Sequence, residues 1–359
     1  MSSNFIKQIN LKIDKAKLLK KLIVFTISST AKQEKNPYHA PLREYDDFCI
    51  LGCVLFDQTL LVELLKFIDK EVDIVLVDAE KKIPLHEVAK YKKTQFIDRT
   101  IGSFETGNFS KLCFNNIKNA KVFEYKPNDL TVDAAWIFIS QKLNSFTGKK
   151  ISILGLGNIG SKLALKIVEC GANVHVYSKD FNKTHLVSQA LNLIKPNGTI
   201  ASITCHRDPL SATFASDVLI GATNGIPIIN SEIISSVHKD CIVIDLGKNN
   251  LTEDAIKISK KHKLEICRTD VTNSLETFVK ETLIVNKKLK KDYGSRSVNE
   301  INIVGGGYFG SNGSIIVDSI KAPKRILGVS DGKGATKNRL SSLDKESIAK
   351  LVKYFNIKN

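Results

Sequence analysis

Three glycines between Lys149 and Asp180 carry the clearest chemistry in the chain. The stretch reads "KKISILGLGNIGSKLALKIVECGANVHVYSKD", with Gly155, Gly157 and Gly160 at GxGxxG spacing. A strand-like apolar run precedes them and a helical pattern follows, the context in which this spacing predicts a turn around a dinucleotide pyrophosphate. Gly155 permits the tight turn, Gly157 lets the backbone approach the phosphates, and Gly160 lets helix and strand pack closely. Asn158 and Ile159 belong to the opening of the helix, whose free N–H groups and dipole favour an anion. Roughly 20 residues on, sites that prefer NAD carry an acid for the ribose hydroxyls. Here the sequence is "VYSKD", with Ser178 at that place and Lys179 after it. A carboxylate would repel a 2′-phosphate, whereas a hydroxyl and an ammonium would hold one. The cofactor expected is therefore NADP. NAD is the alternative if the strand register slips by two and Asp180 is the ribose acid.

A second polar set follows the apolar run 22–27. "SSTAKQEKNPYHAPLREY" holds Lys32, Lys35, Tyr38, His39 and Arg43 within a dozen positions. A histidine suits proton transfer at a carbinol or carbonyl near neutral pH. Lys35 or Arg43 suits a substrate carboxylate, Arg43 by a bidentate grip. The plain alternative is a solvated loop stiffened by Pro37 and Pro41. The glycine-rich tail offers Asp331 and Lys333, and "RTDVTNSL" adds Asp270 and Thr272. The seven cysteines are scattered and odd in number. Their spacing gives no metal site, and they read as buried free thiols of a reducing compartment.

The elements needed to position these groups are legible as alternating runs. "LIVFTI" (22–27), "FCILGCVLF" (48–56) and "VDIVLVD" (72–78) predict buried parallel strands, with a helix between the last two. "EYKPND" (124–129) reads as a linker, and 130–146 as a helix leading into the next unit. From 150 onward strands and helices alternate as in a doubly wound sheet. The segment 301–342 is too glycine-rich for a helix and reads as short strands and a shaped loop. "LDKESIAKLVKYF" closes the chain as an amphipathic helix. The fold expected is α/β: a doubly wound parallel-sheet Rossmann domain plus a second α/β domain, discontinuous in sequence. Residues 1–127 are assigned to substrate and catalysis and 128–272 to the nucleotide. Residues 273–359 are read as a return segment packing on the first domain.

The 359 residues are 43% hydrophobic, enough for one large or two moderate cores. The net charge of +16 comes from lysines spread over helix faces, with no nucleic-acid motif and no interleaved aromatic set. No apolar stretch reaches about 18 residues, and the N-terminus lacks the apolar region of a signal peptide. The partners expected are a small-molecule substrate and a second copy of the chain, without nucleic acid or membrane, in the cytoplasm.

Residues 147–250 resemble the nucleotide domain of two-domain dehydrogenases, among them the D-2-hydroxyacid dehydrogenases and S-adenosylhomocysteine hydrolase. The likeness rests on "GKKISILGLGNIGSKLAL", "ASDVLIGATNGIPIINSEIISSV" and "KDCIVIDLGKNN", the last two also similar to methylenetetrahydrofolate dehydrogenase. It implies that Ala222, Thr223, Asn224 and Gly225 approach the nicotinamide side, with Asp245, Leu246 and Gly247 in the next loop. The departures are specific. No arginine stands in "IDLGKNN", and no histidine follows residue 262. The Tyr-x-x-x-Lys pair and late Pro-Gly-Gly-Val-Gly segment of the folate enzyme are absent too. The resemblance therefore carries the domain and cofactor, not a reaction. The function expected is hydride transfer between NADP or NAD and a small anionic substrate. The alternatives are an enzyme that uses bound NAD without net redox, and a non-catalytic nucleotide sensor.

Overall fold

The structure, a computed structural model, describes residues 2–30, 36–56, 59–80 and 109–357. The chain divides into two compact units, Met1–Leu275 and Glu276–Asn359.

The first unit contains two sheets. In the N-terminal sheet, β1 (Leu22–Ser28), β3 (Phe48–Val54), β4 (Ile74–Asp78) and β5 (Lys121–Tyr125) run parallel. The antiparallel β2 (Tyr38–Glu44) is one edge, in the order β2-β3-β1-β4-β5. The central strands are apolar and buried almost throughout, as parallel strands in the middle of a sheet are. Phe25, Leu51 and Val77 pack there with Ile9 and Ile13 of α1 (Ser2–Leu18) and with Leu61, Leu64 and Leu65 of α2 (Thr59–Ile68). Helix α3 (Phe109–Asn116) contributes Phe109 and Cys113. Burial pushes the Cys113 thiol up to about 12, so it is inert.

Two segments of this sheet differ from expectation. The polar loop after residue 36 is the edge strand β2. Its pairing shifts register between Ala40 and Arg43, at Pro41, the position where an edge strand tolerates a missing donor. The linker expected over 124–129 is also partly strand. Tyr125 pairs with Asp78, and Pro127 already opens α4 (Pro127–Lys142). Proline suits a first helical turn, where its missing N–H costs nothing.

The second sheet is wholly parallel. Its six strands are β6 (Lys150–Leu154), β7 (Asn173–Tyr177), β8 (Ile203–Cys205), β9 (Val218–Gly221), β10 (Ile242–Asp245) and β11 (Glu265–Arg268). All are parallel, in the order β11-β10-β9-β6-β7-β8. This is the doubly wound Rossmann arrangement, whose order reverses between β6 and β9. Helix α5 (Asn158–Glu169) lies against α4, joined by the Lys162–Asp129 and Lys166–Asp133 pairs at 2.5 and 2.6 Å. Ile151, Ile153, Leu163, Ile167 and Ile220 fill one face of the sheet, and Leu219, Ile233 and Val243 the other. The remaining helices of this layer are α6 (Phe181–Ile194), α7 (Pro209–Thr213), α8 (Ser231–Ser236) and α9 (Glu253–Lys261).

Helix α10 (Thr272–Lys291) enters the second unit. Residues 294–329 form a separate four-stranded sheet, β12 (Gly294–Val298), β13 (Ile301–Gly305), β14 (Ile315–Val317) and β15 (Ile326–Val329). Its core joins Ile303, Ile315 and Val329 to Leu351 of α11 (Ser342–Phe355), which starts with a capping box of Ser341 and Asp344. Among the described residues no helix is long and apolar enough to cross a membrane, and no cluster of three or more metal-ligand side chains occurs.

On β7, His175 Nδ1 meets His206 Nε2 at 2.8 Å, just past β8. Burial, then Lys150 and His206, push His175 from its ordinary 6.5 down to about 4. Burial and Lys150 also lower His206. Between those pH values the unfolded chain binds protons that the folded chain refuses, so stability falls as pH drops. The expected outcome is a urea midpoint that decreases from pH 6.5 towards 4 in the wild type and less steeply in His175→Gln. Equal slopes would contradict the linkage.

Candidate dinucleotide site

The turn after β6 is shaped as its glycines require. Gly155 has φ +106, and a Cβ there would stand 2.4 Å from the Ala222 carbonyl oxygen. At Gly160 a Cβ would meet the Gly155 carbonyl oxygen at 2.0 Å, so helix and strand touch through backbone. Gly157 differs from both, because nothing lies within 4 Å of the position its Cβ would take. Its place is held open rather than filled. Gly157 is also the N-cap of α5 and has no side chain to bond the first helical N–H groups. The four helices that follow are capped by Asp180, Asp208, Asn230 and Thr252. Helix α4 also lacks a cap from its N-cap residue Lys126, but its Asn128 N–H is taken by Glu80. Helix α5 opens without a capping side chain where an anion is expected.

A cavity of about 430 Å³ stands over this turn. Its size falls within the range of small-molecule sites. Gly155, Leu156 and Gly157 line it together with Ala222 and Thr223 from the loop after β9. Tyr177, Ile226 and Ile228 add apolar surface, while Ser178, Lys179, Asp180 and Lys183 make the polar rim. The cavity therefore lies at the carboxyl ends of β6, β7 and β9, across the point where strand order reverses.

Ser178 directly follows β7, and its Oγ accepts the Leu156 N–H at 2.6 Å. The hydroxyl thereby ties the end of β7 to the turn and keeps its own proton for a second partner. Asp180 caps α6 by accepting the Lys183 N–H at 3.0 Å. The carboxylate considered as a ribose acid is thus engaged at a helix end. Lys183 on the same helical turn is a further cation at the rim, beyond the residues singled out from sequence. Its i,i+3 spacing from Asp180 was the available signal.

The loops after β9 and β10 are held by Asn250, which the motif reading does not single out. Asn250 is fully buried. Its Oδ1 accepts the Thr223 N–H at 2.8 Å and the Thr223 hydroxyl, and its Nδ2 donates to Asp245. Asp245 also accepts the Gly247 N–H at 3.1 Å. Gly221 and Gly247 leave room for this side chain; a Cβ on them would come within 2.6 and 2.8 Å of Asn250 atoms. Thr223, Asp245 and Gly247 are therefore one bonded unit. Asn224 and Gly225, with φ of 58 and 85, turn the chain beside it.

The N-terminal sheet reaches the same turn from β4. Glu80 accepts from the Asn158 side chain at 3.4 Å and from the Asn128 N–H and side-chain amide at 3.1 and 3.0 Å. Lys162 stands 3.9 Å from the same carboxylate. Asn158, expected only as a helix-opening residue, is thus also the link between the two sheets. Ile159 packs against the core of the six-stranded sheet.

The other polar candidates are placed elsewhere. His39 lies on β2 against α1, its ring stacked on Phe5 at 4.4 Å and its Nε2 2.9 Å from Gln8 Oε1. Burial and Lys12 lower its pKa. Tyr38 is tilted against Phe56, and Arg43 stands near enough to Asp270 to help lower that carboxyl, below hydrogen bonds from Thr272. None of the three lines the cavity. Lys32 and Lys35 lie outside the described residues. Asp270 and Asp331 both close local turns, accepting from Thr272 and from the Lys333 and Ala335 N–H groups.

No family model matches the chain. A glutamyl-tRNA reductase of Thermosipho melanesiensis is 26% identical over 160 residues, covering 40% of this chain and 41% of that protein. A protein described as a precorrin-2 dehydrogenase of Methanocaldococcus jannaschii is 40% identical over 57 residues, covering 15% of this chain and 28% of that one. The chain thus matches less than half the length of either curated relative. Among solved structures, L-tryptophan dehydrogenase from Nostoc punctiforme aligns over 73% of this chain and 75% of its own, with TM-score 0.41 and 13% identity.

Proposed function

We propose that the chain is a nicotinamide-nucleotide-dependent oxidoreductase that prefers NADP and acts on a small, anionic substrate. The observation that carries this is the α5 N-terminus. It lacks a capping side chain, is kept clear at Gly157 and faces a cavity at the switch point of a Rossmann sheet. The two curated relatives are named as a reductase and a dehydrogenase, which supports the same class.

The residues fit a dinucleotide in parts. Backbone N–H groups at the start of α5 receive the pyrophosphate. Tyr177, Ile226 and Ile228 offer the apolar surface that an adenine ring needs. The Ser178 hydroxyl with Lys179 and Lys183 supplies a donor and two cations for a 2′-phosphate, and charge-assisted bonds of this kind are the strong ones. The Asn250 unit fixes Thr223 and Gly247 towards the nicotinamide end. When bound, the nicotinamide ring supplies the hydride-transfer chemistry. The protein's share is orientation, with Glu80 and Asn158 tying the N-terminal sheet to the start of α5.

Calorimetry with NADPH and NADH tests the reading, and absence of binding by both would overturn it. Gly157→Ala should fold normally, since its Cβ enters open space, yet bind at least tenfold more weakly, a loss of about 1.4 kcal/mol or more. The double variant Lys179→Ala/Lys183→Ala should lose NADPH affinity by roughly tenfold per lysine while NADH affinity holds, in line with ~1.5–3 kcal/mol for bonds to charged groups. An equal loss for both nucleotides would remove the 2′-phosphate assignment. Asn250→Ala should cost about 1–3 kcal/mol of stability through the partners it leaves unsatisfied. It should also weaken both nucleotides alike; unchanged affinity would make Asn250 a purely structural residue.

A further inference from the structure

The sequence shows no interleaved set of aromatic and basic residues, yet the second unit assembles one. Tyr293 follows α10, Tyr308 and Phe309 follow β13, and Lys333 lies in the turn after β15. Tyr293 and Tyr308 meet edge to face, with centroids 5.5 Å apart. The Phe309 ring lies on the backbone of the turn after β15; a Cβ on Gly334 would come 2.4 Å from it. A Cβ on Gly332 would stand 2.9 Å from the Asn312 nitrogen, so the two glycine-rich turns interlock. Gly332 and Gly334 have φ of 77 and 100, which favours glycine at both, and Asp331 tightens the turn by accepting two N–H groups. Rings on such a base keep their place without a hydrophobic cover. Tyr293, Tyr308 and Phe309 are nonetheless 46%, 42% and 68% exposed.

We propose that this surface binds single-stranded nucleic acid. Bases stack on Phe309 and Tyr308, and phosphates pair with Lys333 and with the exposed Lys290 and Lys291 just before Tyr293. Every base has a π-face, so stacking on rings beside cations is the recognised means of holding a single strand without reading its sequence. Charge complementarity favours this occupant. Residues 276–359 hold 16 of the 53 Lys and Arg residues but 8 of the 37 Asp and Glu, so less than a quarter of the chain carries half its net charge. An anionic lipid surface would share the charge but requires a continuous apolar face to insert. Here the polar residues Ser311 and Asn312 follow the rings in the same loop instead. All these residues lie in the second unit, so the proposal stands apart from the nucleotide reading above.

The test is fluorescence anisotropy of the full chain with a labelled single-stranded oligo(dT) or oligo(U). A duplex of similar length and phosphatidylserine vesicles serve as controls. Binding should weaken as salt rises. Tyr308→Ala/Phe309→Ala should weaken it by roughly tenfold or more while the thermal midpoint holds, as expected when stacked bases lose their platform. Lys333→Ala should lower the salt slope by about one unit of log Kd per log salt. Binding that the aromatic variant leaves unchanged, equal affinity for duplex, binding to vesicles alone, or no binding would each overturn the proposal.

Discussion

Backbone N–H groups at a helix start must find an acceptor, and at Gly157 the protein supplies none from a side chain. The rest of the Rossmann domain follows from that constraint. A helix with open donors is stable in water but costly if buried dry. Its N-terminus therefore has to face a cleft that stays accessible. The carboxyl edge of a parallel sheet offers such a cleft only where the strand order reverses and neighbouring loops diverge. Gly155 and Gly160 bring strand, helix and the Ala222 segment close enough that the open end points into the cavity rather than over a flat edge.

The loops after β9 and β10 need a different solution. They are joined by a single bridge between Ile229 and Leu251, with backbone bonds among Ile228, Ile229, Asn250 and Thr252. A buried amide adds to this on the side nearer the cavity. Asn250 presents an acceptor to Thr223 and a donor to Asp245, so its orientation is set by the partners on both sides. A buried, fully paired network of this kind rigidifies what it joins. Packing confirms the dependence: Gly221 and Gly247 leave out the side chains that would displace the amide. On the other flank, Glu80 plays a comparable part between Asn158 and Asn128. The segments beside the cavity are thus tied by polar bonds that span 78 positions between Glu80 and Asn158 and 27 between Thr223 and Asn250.

These spans explain what could be read from the sequence. The glycine turn, the apolar parallel strands and the capped helices depend on neighbours within a few positions or on burial over a whole run, so pattern alone exposes them. Strand β5 escaped because an edge strand with Lys121 and Glu124 lacks the continuous apolar run of its neighbours. Strand β2 escaped because its proline and mixed polar residues imitate a loop, and only pairing with β3 reveals the bulge that accommodates Pro41. His39 looked like chemistry because its partners were hidden; Phe5 and Gln8 lie more than 30 positions earlier on another element. Asn250 had the opposite fate. An asparagine after "DLGKN" reads as one more turn residue until the fold brings Thr223 to it. The aromatic surface of the second unit is likewise split across three loops in sequence.

Ser178 shows why a residue type can matter more than its charge. The turn needs an acceptor for the Leu156 N–H at the end of β7. A carboxylate meets that need but brings a negative charge to the rim and no proton. An alanine leaves the N–H without a partner. A hydroxyl accepts from the backbone and still has a proton to give, so one small side chain completes the turn and leaves a donor at the cavity. Asp180, two residues on, is kept from opposing that donor by its engagement with the α6 N-terminus. Lys179 and Lys183 then set the sign of the rim. The preference for a phosphorylated ribose that we propose therefore rests on the hydrogen bonds that close the turn.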